Sequence, residues 1–251
     1  MAERSAGEKA KQGGIWETIK VVIEALLIAL IFRTFLFHPF NIPSGSMEPT
    51  LLIGDYLFVS KFAYGYSRYS FPIDLNFTEG RVWEGSPERG DIVVFRPPRE
   101  PGTDYIKRVV GLPGDRIQVL DGALHINGEA VEREPAGEWE GEGRFGSRDG
   151  TAQYRETLPN GVSYITLDMT ENGAGDNTRV FEVPPDHYFL MGDNRDNSQD
   201  SRFLDGPVGY VPSENLVGRA EIIFFSVNDA PAWAFWKWPW TVRYDRLLDT
   251  L

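Results

Sequence analysis

Apolar residues form one long run near the N-terminus and, after it, many short runs separated by glycine, proline and aspartate. The long run, IWETIKVVIEALLIALIFRTFLF, extends from Ile15 to Phe37. As a helix that rises about 1.5 Å per residue, it would be roughly 35 Å long, which is enough to cross a bilayer. We therefore predict a single transmembrane anchor over residues 15–37, preceded by a tail of residues 1–14.

The charges in and around this run indicate whether it crosses a membrane and in which orientation. Glu24 and Arg33 interrupt it, so an amphipathic helix on a protein core or at a membrane interface is the alternative. A cleaved leader is less favoured, because no small-x-small site follows the run. Residues 38–60 contain no lysine or arginine, whereas four basic residues lie before Val21, where the strongly apolar part of the run begins: Arg4, Lys9, Lys11 and Lys20. The positive-inside rule then predicts a cytoplasmic N-terminus, with the rest of the chain on the other side.

The short apolar runs have the length and the β-branched content of strands. The clearest are Leu51–Ile53, Tyr56–Val59, Asp91–Phe95, Tyr105–Val110, Ile117–Leu120, Tyr188–Met191 and Ala220–Val227. After the anchor, a helical period recurs only over Thr241–Leu251. Residues 121–185 are richer in glycine, glutamate, asparagine and arginine, with weak strands such as Val162–Leu167. We predict a mainly β chain, with a core of residues 38–120 and 186–251 and an inserted smaller β subdomain over residues 121–185.

Composition excludes several kinds of chemistry. The net charge of −12 argues against a nucleic-acid partner, which would need a basic face. The chain contains no cysteine, so disulfides and thiol catalysis are excluded. Only three histidines occur, without an HExxH pair, so no zincin-type metal site is predicted. A Ser-His-Asp triad is also disfavoured, because none of the three lies in a run typical of catalysis.

A serine in the run IPSGSMEPT is the first candidate for chemistry. Pro43 and Gly45 favour a bent, extended backbone, and Pro49 prevents a helix from starting cleanly. Such a turn can present the hydroxyl of Ser46 for attack, while the Ser46 N–H and the Ser44 hydroxyl bind an oxyanion. Taken alone, the same run is also typical of a solvated turn.

A lysine in the run DYIKRVV is the second candidate. In a strand, Tyr105, Lys107 and Val109 share one face, whereas Ile106 and Arg108 lie on the other. Apolar neighbours could desolvate Lys107, and burial favours the neutral amine that a general base requires. The alternative is a lysine at a strand edge with its ammonium group in water.

The third polar run, MGDNRDNSQDSR, covers residues 191–202. Asp196, Ser198 and Asp200 alternate as in a calcium loop, which is the obvious alternative. However, Ser201 stands where an EF-hand needs glycine, and Pro207 where it needs glutamate, so that pattern fails. The run could instead orient a catalytic lysine.

The tryptophan-rich tail, residues 232–240, carries four of the seven tryptophans. Tryptophan is favoured where one end of the ring meets an apolar phase and the other meets water. The tail is therefore predicted either to contact lipid or to form the edge of an aromatic core.

Taken together and in this order, these runs closely resemble bacterial type I signal peptidase (leader peptidase). The matching segments are IPSGSMEPTLLIGDYLFVSKFAYG, RGDIVVFRPP, DYIKRVVGLPGD, MGDNRDNSQDSR and GYVPSENLVGRA, which cover roughly a third of the chain. The resemblance implies a β-rich catalytic domain of coiled sheets with an inserted second domain. It does not extend residue by residue to residues 121–185.

The resemblance also implies roles for individual residues. Ser46 would be the nucleophile and Lys107 the general base, with Ser44 completing the oxyanion hole and Ser198 orienting the lysine. Supporting polar positions are Arg108, Asp193, Asn194, Asp200 and Arg202. Pockets for alanine-sized side chains at −1 and −3 of the substrate would be lined by Phe40, Ile42, Met47, Tyr105 and Ile106. No metal or cofactor is implied.

The predicted function is removal of signal peptides from exported preproteins by a Ser-Lys dyad through an acyl-enzyme. The expected location is the bacterial inner membrane, single-pass, with the catalytic domain on the periplasmic side. The expected partners are the preproteins and the lipid bilayer, with the protein export channel as a further candidate. Two alternatives stay open: a narrow-specificity Ser/Lys maturation protease of a pilus or conjugation system, and a membrane-anchored β-rich binding protein with a calcium-holding loop.

Overall fold

A computed structural model describes residues 4–71, 80–141, 150–228 and 233–251. Four predicted segments extend beyond these ranges: the N-terminal tail at residues 1–3, the core at residues 72–79 and 229–232, the inserted region at residues 142–149 and the tryptophan-rich tail at residue 232. The chain is mainly β, as predicted, with one long helix at its N-terminus.

The long helix, α1, spans Arg4–Phe35. It begins before the predicted anchor and ends two residues earlier than predicted, because the chain enters its first strand at Phe37. Its apolar residues from Ile15 onward are largely exposed to solvent. Within the described ranges, no helix has the length and apolar content needed to span a bilayer. The predicted transmembrane span is therefore not confirmed.

An antiparallel sheet of seven strands forms the main body, in the order β1-β2-β14-β3-β4-β12-β13. Its strands are β1 (Phe37–Asn41), β2 (Asp55–Ser60), β3 (Ile92–Phe95), β4 (Tyr105–Gly111), β12 (His187–Met191), β13 (Val211–Pro212) and β14 (Leu216–Ser226). The long strand β14 pairs with β2 and β3, so it joins the two halves of the sheet.

Two smaller antiparallel sheets fall between β4 and β12 in the chain. One is a four-stranded sheet in the order β11-β5-β6-β7, and the other is a three-stranded sheet in the order β10-β9-β8. Their strands are β5 (Arg116–Leu120), β6 (Ala123–Ile126), β7 (Glu129–Ala130), β8 (Glu132–Trp139), β9 (Thr151–Thr157), β10 (Ser163–Asp168) and β11 (Phe181–Glu182). These sheets contain most of the predicted inserted region, whose status as a separate subdomain stays a prediction.

Most of the predicted strands are present, and the central residues of each of these runs lie in the observed strand. Two predicted segments are wrong. Leu51–Ile53 lies in a turn, because the Asp55 carboxylate accepts a hydrogen bond from the Leu52 N–H at 2.8 Å and closes the loop before β2. Thr241–Leu251 does not continue as a helix. A single-turn helix, α2 (Trp238–Thr241), ends where this segment begins, and the backbone N–H groups of Leu248 and Leu251 bond instead to β14. Pairing with an existing strand there prevails over the local helical period.

The seven-stranded sheet is packed with apolar side chains on both faces. One cluster behind the β1–β2 connection includes Ile42, Met47 and Leu51, which are 0–2% exposed. A second cluster on β3, β4 and β12 includes Phe95, Val109 and Leu190, also 0% exposed. Burial on both faces holds β4 firmly between β3 and β12, and this fixes the position of the polar residues that β4 carries.

Candidate active site

Ser46 lies on a short 3₁₀ turn, Gly45–Met47, between β1 and β2. Ser44, just before the turn, has an extended backbone with φ −136° and ψ 155°. Met47 is fully buried, and its carbonyl accepts a hydrogen bond from the Leu51 N–H at 2.9 Å. The turn is thus anchored by its apolar residue, while Ser46 stays at the margin of the core with 8% of its surface exposed.

Lys107 lies on β4 with only 3% of its surface exposed. Its Nζ donates hydrogen bonds to Ser46 Oγ at 2.6 Å and to the Ile106 carbonyl at 2.9 Å. Burial lowers the pKa of Lys107 to about 8, although Asp200 and Asp193 act in the opposite direction. A lysine with this pKa releases its proton near neutral pH much more readily than a solvated lysine does.

The loop of residues 192–202 holds the Ser46 turn from the other side. The Asn194 backbone N–H donates to the Ser46 carbonyl at 3.2 Å, and Asn194 Nδ2 donates to the Gly45 carbonyl at 3.0 Å. Gly192 packs directly against the turn, because an added Cβ would lie 2.5 Å from the Ser46 carbonyl and closer still to Ser198 Oγ. The loop and the turn therefore fit together only with glycine at this position.

A buried ion pair joins the loop to β4. Arg108 donates from Nε to Asp193 Oδ1 at 2.8 Å and from Nη2 to Asp193 Oδ2 at 2.6 Å. Thr50 also donates to Asp193 at 2.5 Å, and the Arg108 guanidinium lies 4.1 Å from the centre of the Tyr164 ring. Because Arg108 directly follows Lys107 on β4, the pair ties the strand that carries the lysine to the loop that holds the Ser46 turn.

A second ion pair stabilises the end of the loop. Arg202 binds the Asp200 carboxylate through Nε and Nη2, each at 2.9 Å, and the Gly192 N–H donates to Asp200 at 3.1 Å. Burial tends to raise the pKa of Asp200, but the charge and hydrogen bonds of Arg202 and the Gly192 N–H outweigh burial and lower it. Asp200 is therefore an anion near Lys107 at neutral pH.

Two predicted serines differ in their surroundings. Ser198 Oγ is buried beside Gly192 and makes no hydrogen bond to Lys107. Its hydroxyl lies instead close enough to the Asp200 carboxylate to contribute to lowering the pKa of Asp200. Ser44 is exposed on the wall of the cleft that opens at Ser46. Both lie beside the Ser46–Lys107 pair, and their predicted roles stay predictions.

An open cleft of about 380 Å³ leads to Ser46 and Lys107. Phe40, Tyr105 and Ile106 line it, as do Thr103, Asn197 and Gln199 from neighbouring loops. Ile42 and Met47 instead lie in the apolar cluster behind the turn, at 2% and 0% exposure. Three of the five predicted pocket residues are therefore at the cleft surface, and the other two support it from the core.

Several residues at the site were assigned no role from the sequence. Thr50 binds Asp193, and Glu156 on β9 forms a buried pair with Arg195 and accepts a hydrogen bond from Tyr164 at 3.0 Å. Arg195 lies inside the MGDNRDNSQDSR run, so its charge within that motif could have identified it as a residue of the site. Glu156 lies in the region with no recognisable motif, where nothing distinguishes it from the exposed glutamates nearby.

The acidic residues of the loop bind protein groups. Asp193 binds Arg108, Asp200 binds Arg202, and Asp196 accepts the backbone N–H groups of Met169 and Thr170 at 2.7 and 2.9 Å. Three carboxylates with three separate sets of partners do not converge on a common point. Among the described residues, no group of three or more histidine, aspartate or glutamate side chains is arranged to hold a metal ion.

Comparison with known proteins gives the class and the family. Residues 15–225 match the family described as "Signal peptidase, peptidase S26". A signal peptidase I of Rickettsia typhi is 44% identical over 213 residues, covering 81% of this chain and 77% of the relative. That of Rickettsia conorii is 42% identical over 223 residues, covering 85% and 79%. A solved signal peptidase I structure from Enterococcus faecalis, 26% identical, covers 54% of this chain and 97% of that chain with a TM-score of 0.31.

These sequence matches define the class as a serine endopeptidase, a hydrolase. The chain belongs to the signal peptidase family, peptidase S26. The resemblance inferred from the sequence motifs is thereby confirmed.

Proposed function

We propose that this chain removes signal peptides from exported preproteins, with Ser46 as nucleophile and Lys107 as general base. The observation that carries the proposal is the 2.6 Å hydrogen bond from Lys107 Nζ to Ser46 Oγ, made by a lysine that is 3% exposed. A base must reach the proton that it removes and must be neutral at the working pH. Burial supports the second requirement, because it lowers the pKa of Lys107 to about 8.

In the acylation step, the neutral Lys107 amine takes the proton of Ser46 Oγ as Oγ bonds to the carbonyl carbon of the scissile peptide. The negative charge then develops on the carbonyl oxygen. The Ser46 N–H and the Ser44 hydroxyl would stabilise it, and the exposure of Ser44 on the cleft wall is consistent with this role. As the C–N bond breaks, the Lys107 ammonium returns its proton to the leaving amine, which is the new N-terminus of the mature protein.

Deacylation reuses the same groups. Lys107, neutral again, takes a proton from water as the water oxygen bonds to the ester carbon. The bond to Ser46 Oγ then breaks, and Oγ recovers a proton from Lys107. Six polar residues are proposed to hold Lys107 and the Ser46 turn in position relative to each other. They are Ser198, Asp193, Asn194, Asp200, Arg202 and Arg108. The buried bonds that five of them, all but Ser198, make around Gly192 and Ser46 support this assignment.

The substrate is proposed to bind as an added strand beside β4. β3 pairs with β4 from Tyr105 to Arg108, whereas β12 pairs with it only from Arg108 onward. Among the described residues, the first half of β4 therefore has one edge without a strand, and the same half lines the cleft. Backbone bonds there would give affinity, and small pockets near Phe40 and Ile106 would select alanine-sized side chains at −1 and −3.

The enzyme is further proposed to work at the bacterial inner membrane with its catalytic domain on the periplasmic side. The exposed apolar residues of α1, such as Leu26 and Ile28, support contact with lipid, and so do the exposed rings of Trp233 and Trp240. α1 is the proposed anchor, and the protein export channel is a candidate partner. Because Ser46 lies only eleven residues beyond Phe35, the last residue of α1, cleavage would occur close to the lipid surface.

The test is cleavage of a preprotein with an Ala-x-Ala site by the full chain in detergent, with the product mass identified. Wild type should cut after the −1 alanine, whereas Ser46→Ala and Lys107→Ala should be folded and inactive. Lys237→Ala, a change at an exposed lysine away from the cleft, is the matched control and should cut normally. Wild-type inactivity on several such preproteins would favour a narrow-specificity maturation protease. Activity in either site variant would mean that the altered residue has another role.

A further inference from the structure

A second cavity, of about 260 Å³, lies between the C-terminal end of α1 and the seven-stranded sheet. Three cations line it: Arg33 from α1, Lys61 after β2 and Arg96 after β3. Only one carboxylate lines it among the described residues, that of Asp104, and Arg96 Nε already binds it at 3.1 Å. The cavity therefore has an excess of positive charge in a protein whose net charge is −12.

The excess charge is concentrated at Arg33 and Lys61. Among the described residues, neither has a carboxylate within ion-pair distance. Lys61 is 6% exposed and donates one hydrogen bond, to the Ser70 carbonyl at 2.5 Å. Burial lowers the pKa of Lys61, and Arg33 and Arg96 lower it further against the opposing effect of Asp104. A bound anion would relieve this repulsion between cations.

The surface next to the cavity is apolar. Leu26, Leu27 and Leu30 on α1 are 64%, 54% and 56% exposed, and Leu30 also lines the cavity. Phe62, which follows Lys61, is 50% exposed. A small soluble anion would need only the cations, whereas this surface also suits a ligand with an anionic head and a long apolar tail.

We propose that this cavity holds the phosphate group of an anionic phospholipid, whose acyl chains lie along α1. Guanidinium groups bind phosphate with two parallel hydrogen bonds, and a lysine ammonium adds a point charge. Both residues line the cavity, and Arg33 is exposed whereas Lys61 is buried, so a headgroup that enters from the surface can contact both. Basic cavities beside membrane helices are suited to such headgroups.

The cavity adjoins the catalytic cleft. Asp104 lines both, and His38, which lines the cavity, lies two residues before Phe40 of the cleft on β1. A lipid held here would fix the height of the cleft above the membrane surface. This consequence rests on the proposed function, whereas lipid binding itself does not depend on the Ser46–Lys107 chemistry.

The experiment measures ligand-induced stabilisation of the full chain in neutral-detergent micelles. Dihexanoyl phosphatidylglycerol, dihexanoyl phosphatidylcholine and inorganic phosphate are titrated separately, and the thermal unfolding midpoint is followed. Phosphatidylglycerol should raise the midpoint saturably, whereas the other two should not. Arg33→Gln and Lys61→Gln should each weaken the apparent affinity by about fivefold.

Arg116→Gln on β5 is the matched control, because it removes an exposed positive charge from a different sheet. It should leave the affinity unchanged. If Lys61→Gln does not fold, the exposed Arg33 still provides the test. Equal stabilisation by phosphatidylcholine, or an equal loss in Arg116→Gln, would overturn the proposal. Saturation by inorganic phosphate at a similar affinity would replace the lipid site with a small-anion site.

Discussion

Side chains around Ser46 differ sharply in exposure from those of two other segments, α1 and residues 233–240. Around Ser46, charged groups such as Arg108 and Asp193 are buried at 5% and 1% exposure and bind one another. In the two other segments, Trp240 and Leu26 are exposed at 82% and 64%. Rigid polar contacts suit chemistry, whereas exposed apolar groups suit contact with lipid, so each region carries a different part of the proposed function.

Replacement of the proposed base should have the largest effect. Lys107→Arg keeps the positive charge, but a guanidinium does not lose its proton at neutral pH and cannot accept one from Ser46. We expect kcat/KM on an Ala-x-Ala peptide to fall by about 10³–10⁴-fold. Lys107→Met, which removes the amine without adding bulk, should be equally inactive.

The folded state of both variants is checked by thermal unfolding. Lys237→Arg, at an exposed position, should retain wild-type kinetics. Normal turnover by Lys107→Arg would contradict the assignment of Lys107 as the base, whatever the effect of Lys107→Met.

Loss of the buried ion pair should lower stability more than loss of an exposed pair. Asp193→Ala leaves the Arg108 guanidinium buried without its carboxylate, so we expect the free energy of unfolding to fall by about 3–5 kcal/mol. Glu214→Ala removes the partner of Arg68 from a pair whose side chains are 40% and 41% exposed, and should cost about 0–1 kcal/mol. Denaturant unfolding of both variants measures the difference. Equal losses would mean that burial does not distinguish the two pairs.

A methyl group at Gly192 should displace the Ser46 turn. The added Cβ would lie 2.5 Å from the Ser46 carbonyl, so either the loop or the turn must move. Because a shift of about 1 Å near reacting groups can cost about 10²-fold, we expect kcat to fall by that order in Gly192→Ala. Gly102→Ala is the control, since an added Cβ there meets no atom within 4 Å. A fully active Gly192→Ala would show that the turn tolerates displacement.

The pH dependence should follow the state of Lys107. Since the pKa of Lys107 is lowered to about 8, kcat/KM should rise about tenfold per pH unit below that value and level off above it. The Asp200 anion raises the pKa of Lys107, so Asp200→Asn should move the midpoint of the profile to lower pH. Profiles of both enzymes, measured from about pH 6 to about pH 10, test the direction. A shift to higher pH would contradict the electrostatic role of Asp200.

The sequence predicted the mainly β class and the segments that meet at the cleft because local signals carry both. A short run with apolar and β-branched residues defined β4, and the apolar neighbours of Lys107 already indicated that this lysine could be buried. The motif around residues 191–202 indicated a polar loop, which the structure brings against the Ser46 turn. In each case the informative residues lie within a few positions of one another.

The remaining features depend on contacts between distant parts of the chain. Glu156 and Arg195 form a pair although they are 39 positions apart in the chain. The residues next to either one do not indicate that the other is its partner. Arg243 and Arg246 near the C-terminus bind the buried Asp55, which helps to hold the final segment against β14 instead of in a helix. Such pairings follow from tertiary packing, so a local pattern could not have predicted them.

The smallest effect should come from the exposed aromatic residues. Trp233→Ser combined with Trp240→Ser removes two rings that are 70% and 82% exposed and that support little of the core. Cleavage of a soluble peptide in detergent should be unchanged. Cleavage of a preprotein embedded in vesicles should slow by about threefold, because α1 would still keep enzyme and substrate at the same surface.

Leu120→Ser, at a 39% exposed residue on β5, is the control for general loss of surface apolarity and should affect neither assay. If the tryptophan variant slows both assays equally, the two rings support the folded catalytic region and do not act by contacting lipid. If it slows only the vesicle assay, the division between a buried catalytic region and a lipid-facing surface extends to the C-terminal part of the chain. The two assays together therefore decide whether the tail belongs to the catalytic region or to the lipid-facing surface.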